Sequence, residues 1–340
     1  MLAPASLTIV DFHTHWMTKA YFNVLEKRQA VPRIERVHGK ITVPQRGFWN
    51  PLTPNFFDMN IRLHEMENSG VDLQVVSLTN PWVDFLDPKL SVEIAKQNND
   101  ELSQICHNHP NKFAALATLP YADTEAAVEE LDRSVRELGL KGAVIGSNLD
   151  GKPIHSEKLW PIYERMAELG APLFIHPTAP VVGQEVLAEN LLIPTIGFPM
   201  DTSVAVLKMI YAGIFDKIPT LKIILAHSGG TLPFLAGRLD GAYLTLHGLK
   251  NLIRNPPSHY LKRMYYDAAT YVSGARDQHL TLDCVRSFVD AEKIFFGSDY
   301  PFALGTPADG LKAIEESAMS EREKEKILGS NAVELLGIRV

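Results

Sequence analysis

Two histidines stand one residue apart in "TIVDFHTHW", residues 8–16, and three more side chains able to bind metal or move a proton end apolar runs further along. They are His176 in "FIHP", His227 in "LAHSGG" and Asp299 in "GSDYP". Neutral imidazole is the commonest metal ligand in proteins. Three imidazoles and one carboxylate, with a position left for water or substrate, suit a catalytic zinc ion. His13 and His15, two apart on a strand, point to the same side. Taken singly, an H-x-H pair is as easily a coincidence in a core strand, and a lone strand-end histidine is more often structural. Five such groups ending four runs at one rim favour a metal site. The ligand set is then His13, His15, His176 and Asp299, with His227 beside it as acid–base or orienting group. Zn²⁺ is the expected ion, with Mn²⁺ or Fe²⁺ as alternatives, because geometry and availability set selectivity. One metal is expected, since the fourth run ends in "IGSN", with no lysine or carboxylate to bridge a second.

Other groups fit chemistry less well. "CHNHP" (106–110) offers Cys106, His107 and His109, but it closes a long helix before Pro110 and reads as a surface helix end. "HSGG" (227–230) lacks the G-x-S-x-G form of a nucleophile elbow. Its glycines better serve a sharp turn from strand to helix.

The elements that must carry these residues are short apolar runs with helices between them. The runs are 7–13, 73–78, 112–119, 142–147, 172–177, 221–227, 263–269 and 293–299. They are continuous rather than alternating, as buried parallel strands are. Residues 122–139 read as a helix with Val128, Leu131, Val135 and Leu138 on one face and Asp123 as N-cap. Strand–helix alternation repeated about eight times predicts an α/β fold, a single TIM-type (β/α)8 barrel spanning 1–340, with an open doubly wound sheet as runner-up. No G-x-G-x-x-G follows the first run to support dinucleotide binding in such a sheet. Residues 16–57, rich in proline and aromatics, are an insertion after the first strand. Residues 178–200 lengthen the loop after the fifth. Both follow strand C-termini, where barrels keep active sites, and both are expected to act as walls or lids.

The chain has 340 residues, 46% hydrophobic and 21% charged, with a net charge of −7. That balance, with no basic run, argues against nucleic acid or an anionic membrane surface as partner. Two cysteines cannot make a disulfide framework. No leader is seen, and no apolar run approaches the roughly 18 residues of a membrane span. A cytoplasmic protein is expected.

The pattern "DFHTH", "FIHP", "LAHSGGTLPFLAGR", "GSDYPF" resembles the amidohydrolase superfamily, within it the aminocarboxymuconate-semialdehyde decarboxylase-like branch. "VLEKRQAVP" (24–32), "VVSLTNPWVDFL" (75–86) and "HSGGTLPFLAGR" (227–238) look most like its iso-orotate (uracil-5-carboxylate) decarboxylases. The resemblance implies a metal-dependent decarboxylase of a small aromatic or heteroaromatic carboxylate, such as 6-methylsalicylate, with no organic cofactor, working as a homodimer. It implies the same four metal ligands and His227 as catalytic histidine. It further implies Arg62 holding substrate, Asn80 and Phe302 lining the pocket, and Arg238 reaching the partner subunit's site. From the residues alone, Arg62 reads as a surface helix residue. Asn80 pairing with a ring amide would favour a pyrimidine. Asp299 would act as the acid that protonates the ring carbon before CO₂ leaves; the resemblance equally implies a route in which His227 activates a metal-bound water that adds to the substrate, and the residues do not choose between the two. Hydrolysis of a lactone, ester or cyclic amide at the same site is the alternative reading.

Overall fold

The run with the paired histidines is β1, Val10–Trp16, buried along its whole length. The structure is a computed structural model and describes residues 7–181, 183–270, 277, 279–302 and 304–338. After β1 come α1 (Lys19–Lys27), β2 (Glu35–Val37), β3 (Lys40–Gln45), β4 (Phe48–Leu52), α2 (Met59–Ser69) and β5 (Leu73–Leu78). The chain continues through α3 (Pro88–Asn108), β6 (Phe113–Ala115), β7 (Ala117–Thr118), α4 (Thr124–Arg136) and β8 (Ala143–Gly146). A short hairpin, β9 (Asn148–Leu149) and β10 (Lys152–Pro153), precedes α5 (Trp160–Leu169) and β11 (Leu173–His176). Then follow α6 (Gln184–Leu187), α7 (Phe198–Tyr211), α8 (Ile214–Lys217), β12 (Ile223–Leu225), α9 (Leu232–Thr245), α10 (Pro257–Leu261) and β13 (Tyr265–Asp267). The last elements needed here are α11 (His279–Phe288), β14 (Ile294–Phe295) and α12 (Pro307–Glu316).

Two parallel sheets, ordered β1-β5-β6 and β14-β13-β12-β11-β8-β7, carry the site and are consistent with a TIM-type barrel. β1 also bonds to the stretch after β14, through Phe12 N to Phe296 O (2.9 Å) and His15 N to Tyr300 O (2.8 Å). At the other edge, Leu116 N donates to Val76 O and Ala117 N to Gly142 O. The strands are apolar because both faces are covered. Phe12 packs edge-on to Phe174 at 5.2 Å and against Phe295 at 5.1 Å. That aromatic layer lies under the site, since the Phe174 ring also meets His13 at 4.9 Å.

The helices start where their caps allow. Asp58, Asp87 and Asp123 each accept a backbone N–H in the first turn of α2, α3 and α4. A side-chain oxygen at this position satisfies a donor that the helix itself cannot. On α4 the face expected from spacing is the packed one, with Leu131 buried and Val128, Val135 and Leu138 against the core.

Residues 16–57, expected from the sequence as an insertion serving as wall or lid, carry regular structure. They hold α1 and an antiparallel ribbon, β2-β3-β4. Residues 178–200 likewise contain α6 and tight helical turns that run into α7. In consequence Glu189–Tyr211 forms one helical stretch long and apolar enough, by length and composition, to cross a membrane, which the sequence read run by run did not suggest. Part of it packs inward: Ala205, Val206, Met209 and Ile210 of α7 are core residues.

Candidate metal centre

All three histidines of the ligand set are anchored through Nδ1 and aim Nε2 at one place. His13 Nδ1 donates to Asp267 Oδ2 at 2.6 Å. His176 Nδ1 donates to the Pro177 carbonyl at 2.8 Å. His15 Nδ1 lies 3.3 Å from the Ser77 hydroxyl, which itself points at the Thr14 carbonyl. At the other end, His13 Nε2 and His15 Nε2 are 3.0 Å apart. Asp299 Oδ1 lies 3.1 Å from the first and 2.9 Å from the second. His176 Nε2 is 3.7 Å from the same oxygen and is buried without a hydrogen-bond partner. One ligand atom from each of His13, His15, His176 and Asp299 lies within 4.8 Å of all the others. An orphaned buried lone pair facing two more imidazoles and a carboxylate is costly unless a cation joins them. The four residues fit a divalent metal.

The charges agree with that reading. Burial pushes His15 down to about 4 and His176 to about 3, so both are neutral at physiological pH. Burial also pulls on His13, but Asp267 and Asp299 carry it up to about 10. Burial would raise Asp299, yet His13, with hydrogen bonds from His15 and His176, holds it well below the usual carboxylate range. The metal-free site therefore keeps one imidazolium between two carboxylates, a charge that a metal ion would replace.

His227 comes to the same cluster from the turn after β12, with Nε2 3.3 Å from Asp299 Oδ2. His13, His15 and His176 are sealed, whereas the His227 and Asp299 side chains keep 15% and 16% exposure. The open side of the cluster is thus the side of His227 and Asp299. Both residues have left-handed backbone, φ 53° and 61°, as does Ser228 at 57°. Such conformations cost about 1–3 kcal/mol each and persist only when the surroundings hold them. For Asp299 the holder is Asp11, the fully buried second residue of β1. Its Oδ2 accepts the Ser298 hydroxyl at 2.6 Å and its Oδ1 the Ser298 N–H at 3.0 Å. Burial pushes Asp11 up to about 7 against those bonds. Gly297 is required here, because a Cβ would fall 2.8 Å from that of His13.

Arg62 is where reading and structure part. Its side chain is fully buried, not on the helix surface. Nη1 donates to Gln74 (2.9 Å) and Nη2 to the carbonyls of His15 (2.5 Å) and Asn55 (3.1 Å). The guanidinium also lies over the rings of Trp16 and Tyr300. It braces the strand end that carries His15. Phe302 meets the His15 ring at 5.2 Å, on the site. Asn80, just past β5, is nearly sealed, and its Oδ1 accepts from Gln45 (3.2 Å) and Asn50 (2.9 Å) of the ribbon. What Asn80 has left to offer is its N–H₂. A cleft of about 170 Å³ opens beside it, lined by Gln45, Arg46, Pro81, Phe85 and Thr178 among others, with none of the four ligand side chains in its wall. Arg238 is exposed on α9. Its neighbour Asp240 is occupied by Ser258.

Sequence reading passed over Asp267 and Asp11. Asp267 lies two residues from the end of the seventh apolar run, 263–269, and is the last residue of β13, so the strand-end rule that found the ligands pointed near it as well. Asp11 sits inside the quoted "DFHTH", where an acid in an apolar strand marks a buried partner.

Comparison with known proteins agrees with the geometry. The 2-amino-3-carboxymuconate-6-semialdehyde decarboxylase of Dictyostelium discoideum is 32% identical over 339 residues, 97% of this chain and 91% of that protein. The apo crystal structure of Metarhizium anisopliae IDCase superposes with a TM-score of 0.88 at 28% identity, covering 99% of both chains. A dihydroxybenzoic acid decarboxylase from Polaromonas, solved with manganese and 2-nitroresorcinol, gives 0.81 at 25% identity over 98% of each. The Amidohydrolase family model matches residues 10–338, nearly the whole described chain, and the protein belongs to that family.

Proposed function

We propose that this protein is a metal-dependent carboxy-lyase that removes CO₂ from a small aromatic or heteroaromatic carboxylate without an organic cofactor. One observation carries the reading. A buried three-histidine, one-carboxylate cluster opens only on the side of His227 and Asp299, in a chain whose relatives are decarboxylases of such acids. The alternative, hydrolysis, has no comparable support among those relatives. His13, His15, His176 and Asp299 would hold one divalent ion. Three imidazoles favour Zn²⁺, while the manganese-bound relative makes Mn²⁺ the first alternative to assay. Bound there, the cation supplies Lewis-acid polarisation of the substrate's carboxylate and neighbouring ring oxygen.

The chain's own groups handle the proton. Loss of CO₂ directly from an aromatic carbon would leave an unstabilised carbanion, so the ring carbon is protonated first. Asp299 is a carboxylate in the substrate-free site; a substrate carboxylate crowded against it raises its proton affinity, and the proton it then takes up passes to that carbon. The carbon–carbon bond then breaks, its electron pair restores aromaticity, and CO₂ leaves. His227, 3.3 Å away, returns a proton to Asp299. Asn80 can only donate, so it suits an acceptor oxygen on the ring, which a pyrimidine and a hydroxybenzoate both possess. Phe302 packs along the ring face. Arg62 acts by bracing His15 rather than by touching substrate.

We also infer a closed eight-stranded barrel in one domain, with the β2-β3-β4 ribbon over the mouth, and a homodimer as the working unit. For the dimer, α9 presents Phe234 (81% exposed), Gly237, Arg238, Gly241 and Leu244 along one face. Ile196, Met200 and Val204 form an exposed apolar row on the neighbouring stretch. A Cβ at either glycine would meet nothing within 4 Å beyond its own helix, so this face is open to close approach by a second helix. An apolar face of this kind suits burial against a second copy. Two unpaired cysteines fit a reducing, cytoplasmic compartment. The direct test is a panel of uracil-5-carboxylate, 6-methylsalicylate, 2,6-dihydroxybenzoate and 5-carboxyvanillate with Zn²⁺- or Mn²⁺-loaded enzyme, read by CO₂ release. Turnover of none of them, with ester or lactone cleavage instead, would reject the lyase reading.

A further inference from the structure

Asp267 lies outside the ligand set, and its two carboxylate oxygens serve two different parts of the site. Oδ2 accepts from His13 Nδ1 at 2.6 Å, and both side chains are fully buried. Oδ1 accepts the backbone N–H of Ala269 at 3.0 Å and faces that of Ser228 at 3.5 Å. The Asp267 carbonyl accepts the Ser228 hydroxyl at 3.3 Å. Ser228 follows His227, and the pair forms the left-handed turn that brings His227 to Asp299. The preceding residue of β13 closes the same turn, since the Tyr266 ring stands 2.5 Å from where a Cβ on Gly229 would be. The end of β13 thus holds a candidate ligand on one side and the catalytic turn on the other.

We propose that Asp267 is a positioning residue with both tasks: it fixes the proton of His13 on Nδ1, and it seats the turn that carries His227. The proposal rests on His13 being a metal ligand. A neutral imidazole has one N–H, and the nitrogen without it is the one that can bind a metal. When His13 gives up its second proton to a metal, the carboxylate keeps the remaining one on Nδ1 and leaves Nε2, which faces His15 and Asp299, as the lone pair.

Asp267→Asn separates the tasks from simple space filling. The amide has one acceptor, and either orientation fails a partner. With its oxygen towards Ser228 and Ala269, its N–H₂ faces Nδ1 and moves the histidine proton to Nε2. Turned round, it sets N–H₂ against two backbone N–H groups. The expected result is Mn²⁺ or Zn²⁺ affinity lower by about ten- to a hundredfold in chelator competition. Wild-type affinity in a folded Asp267→Asn protein overturns the proposal. A second measurement needs no variant. In Zn²⁺-loaded wild-type protein with ¹⁵N-labelled histidine, His13, assigned by its loss in His13→Gln, should carry its proton on Nδ1. A proton on Nε2 overturns the proposal as firmly. His176→Asn is the control for the parent reading, because it removes a ligand without touching Asp267. If His176→Asn binds metal as tightly as wild type, the metal-site assignment fails, whatever Asp267→Asn does.

Discussion

Asp299 divides its carboxylate between two tasks: Oδ2 faces His227 Nε2 at 3.3 Å, while Oδ1 faces the ligand histidines, 2.9 Å from His15. A ligand and a proton carrier can be one residue because the two oxygens point to different neighbours. The two partners are therefore separable by mutation. His227→Asn should leave metal content at about one ion per chain, as the ligand count implies, and lower turnover on the order of a hundredfold or more. Asp299→Ala should lose metal affinity and turnover together. Elemental analysis beside steady-state rates checks both. Loss of metal in His227→Asn with retention in His176→Asn would exchange their roles.

Metal uptake should depend on pH through His13. In the metal-free site Asp267 and Asp299 raise it to about 10, so Nε2 carries a proton at neutral pH. A ligand must shed that proton to bind. His15 and His176, at about 4 and 3, have already lost theirs. Affinity should then rise with pH, by up to about tenfold per unit between about pH 6 and about pH 9, with about one proton released per ion. Calorimetry of Mn²⁺ binding in two buffers of different ionisation enthalpy measures the count. Affinity flat across that range contradicts the assignment.

Arg62 gives a choice between two roles with different kinetics. A residue that grips substrate moves KM when shortened. A residue that braces His15 moves metal affinity and stability. Arg62→Lys keeps the charge but loses the planar fork that reaches Gln74 and two carbonyls at once. Stability should fall by about 2–4 kcal/mol, because buried acceptors lose a charged partner. Chemical denaturation and chelator competition read this directly. A stable, metal-replete Arg62→Lys with only KM raised would return Arg62 to the substrate.

What the sequence made legible follows from physics. The ligand residues stood out because each ends a continuous apolar strand, where a polar group needs a reason. His13, His15, His176 and Asp299 meet as their positions required. The ribbon was hidden because prolines interrupt its strands, Pro44 in β3 and Pro51 in β4. Proline is confined to special places in sheets and argues against a strand when read from sequence. Yet Val43 and Gln45 alternate inward, as a half-buried strand demands. Arg62 was misplaced for a different reason. Base rates put arginine outside, and its partners are a carbonyl on β1 and Gln74 on β5, distant in sequence.

Asp84 should make stability fall with rising pH. Its Oδ1 is buried without a partner. Burial, and then Asp150, push it from 3.8 to about 8. A carboxyl raised on folding holds a proton that the unfolded chain has released. Its contribution is full below about pH 4 and is lost as pH rises through about 8. Asp84→Asn removes the titration. At about pH 8 the variant should exceed wild type by on the order of 5 kcal/mol relative to their difference at about pH 4, from the pKa displacement. Urea unfolding at the two pH values measures it, and an unchanged difference would show that Asp84 is not the group responsible.

The dimer can be tested at the level of the site. Arg238 has no ion-pair partner among the described residues and lies on the exposed face of α9 with Phe234 and Gly241. A helix rises about 1.5 Å per residue, so an arginine eleven residues after His227 is carried well away from its own cluster. If that patch meets its copy across a twofold axis, as proposed, each arginine would reach the other subunit's site. Arg238→Ala and His227→Asn homodimers should then each be nearly inactive. In a mixed dimer one site collects both defects and the other has none. Random reassortment should restore towards about a quarter of wild-type activity, an expectation from the symmetry alone. Exchange of subunits is followed with differently tagged chains. Full activity of Arg238→Ala, or no recovery despite exchange, would leave Arg238 an ordinary surface residue, of the kind whose ion pairs contribute little.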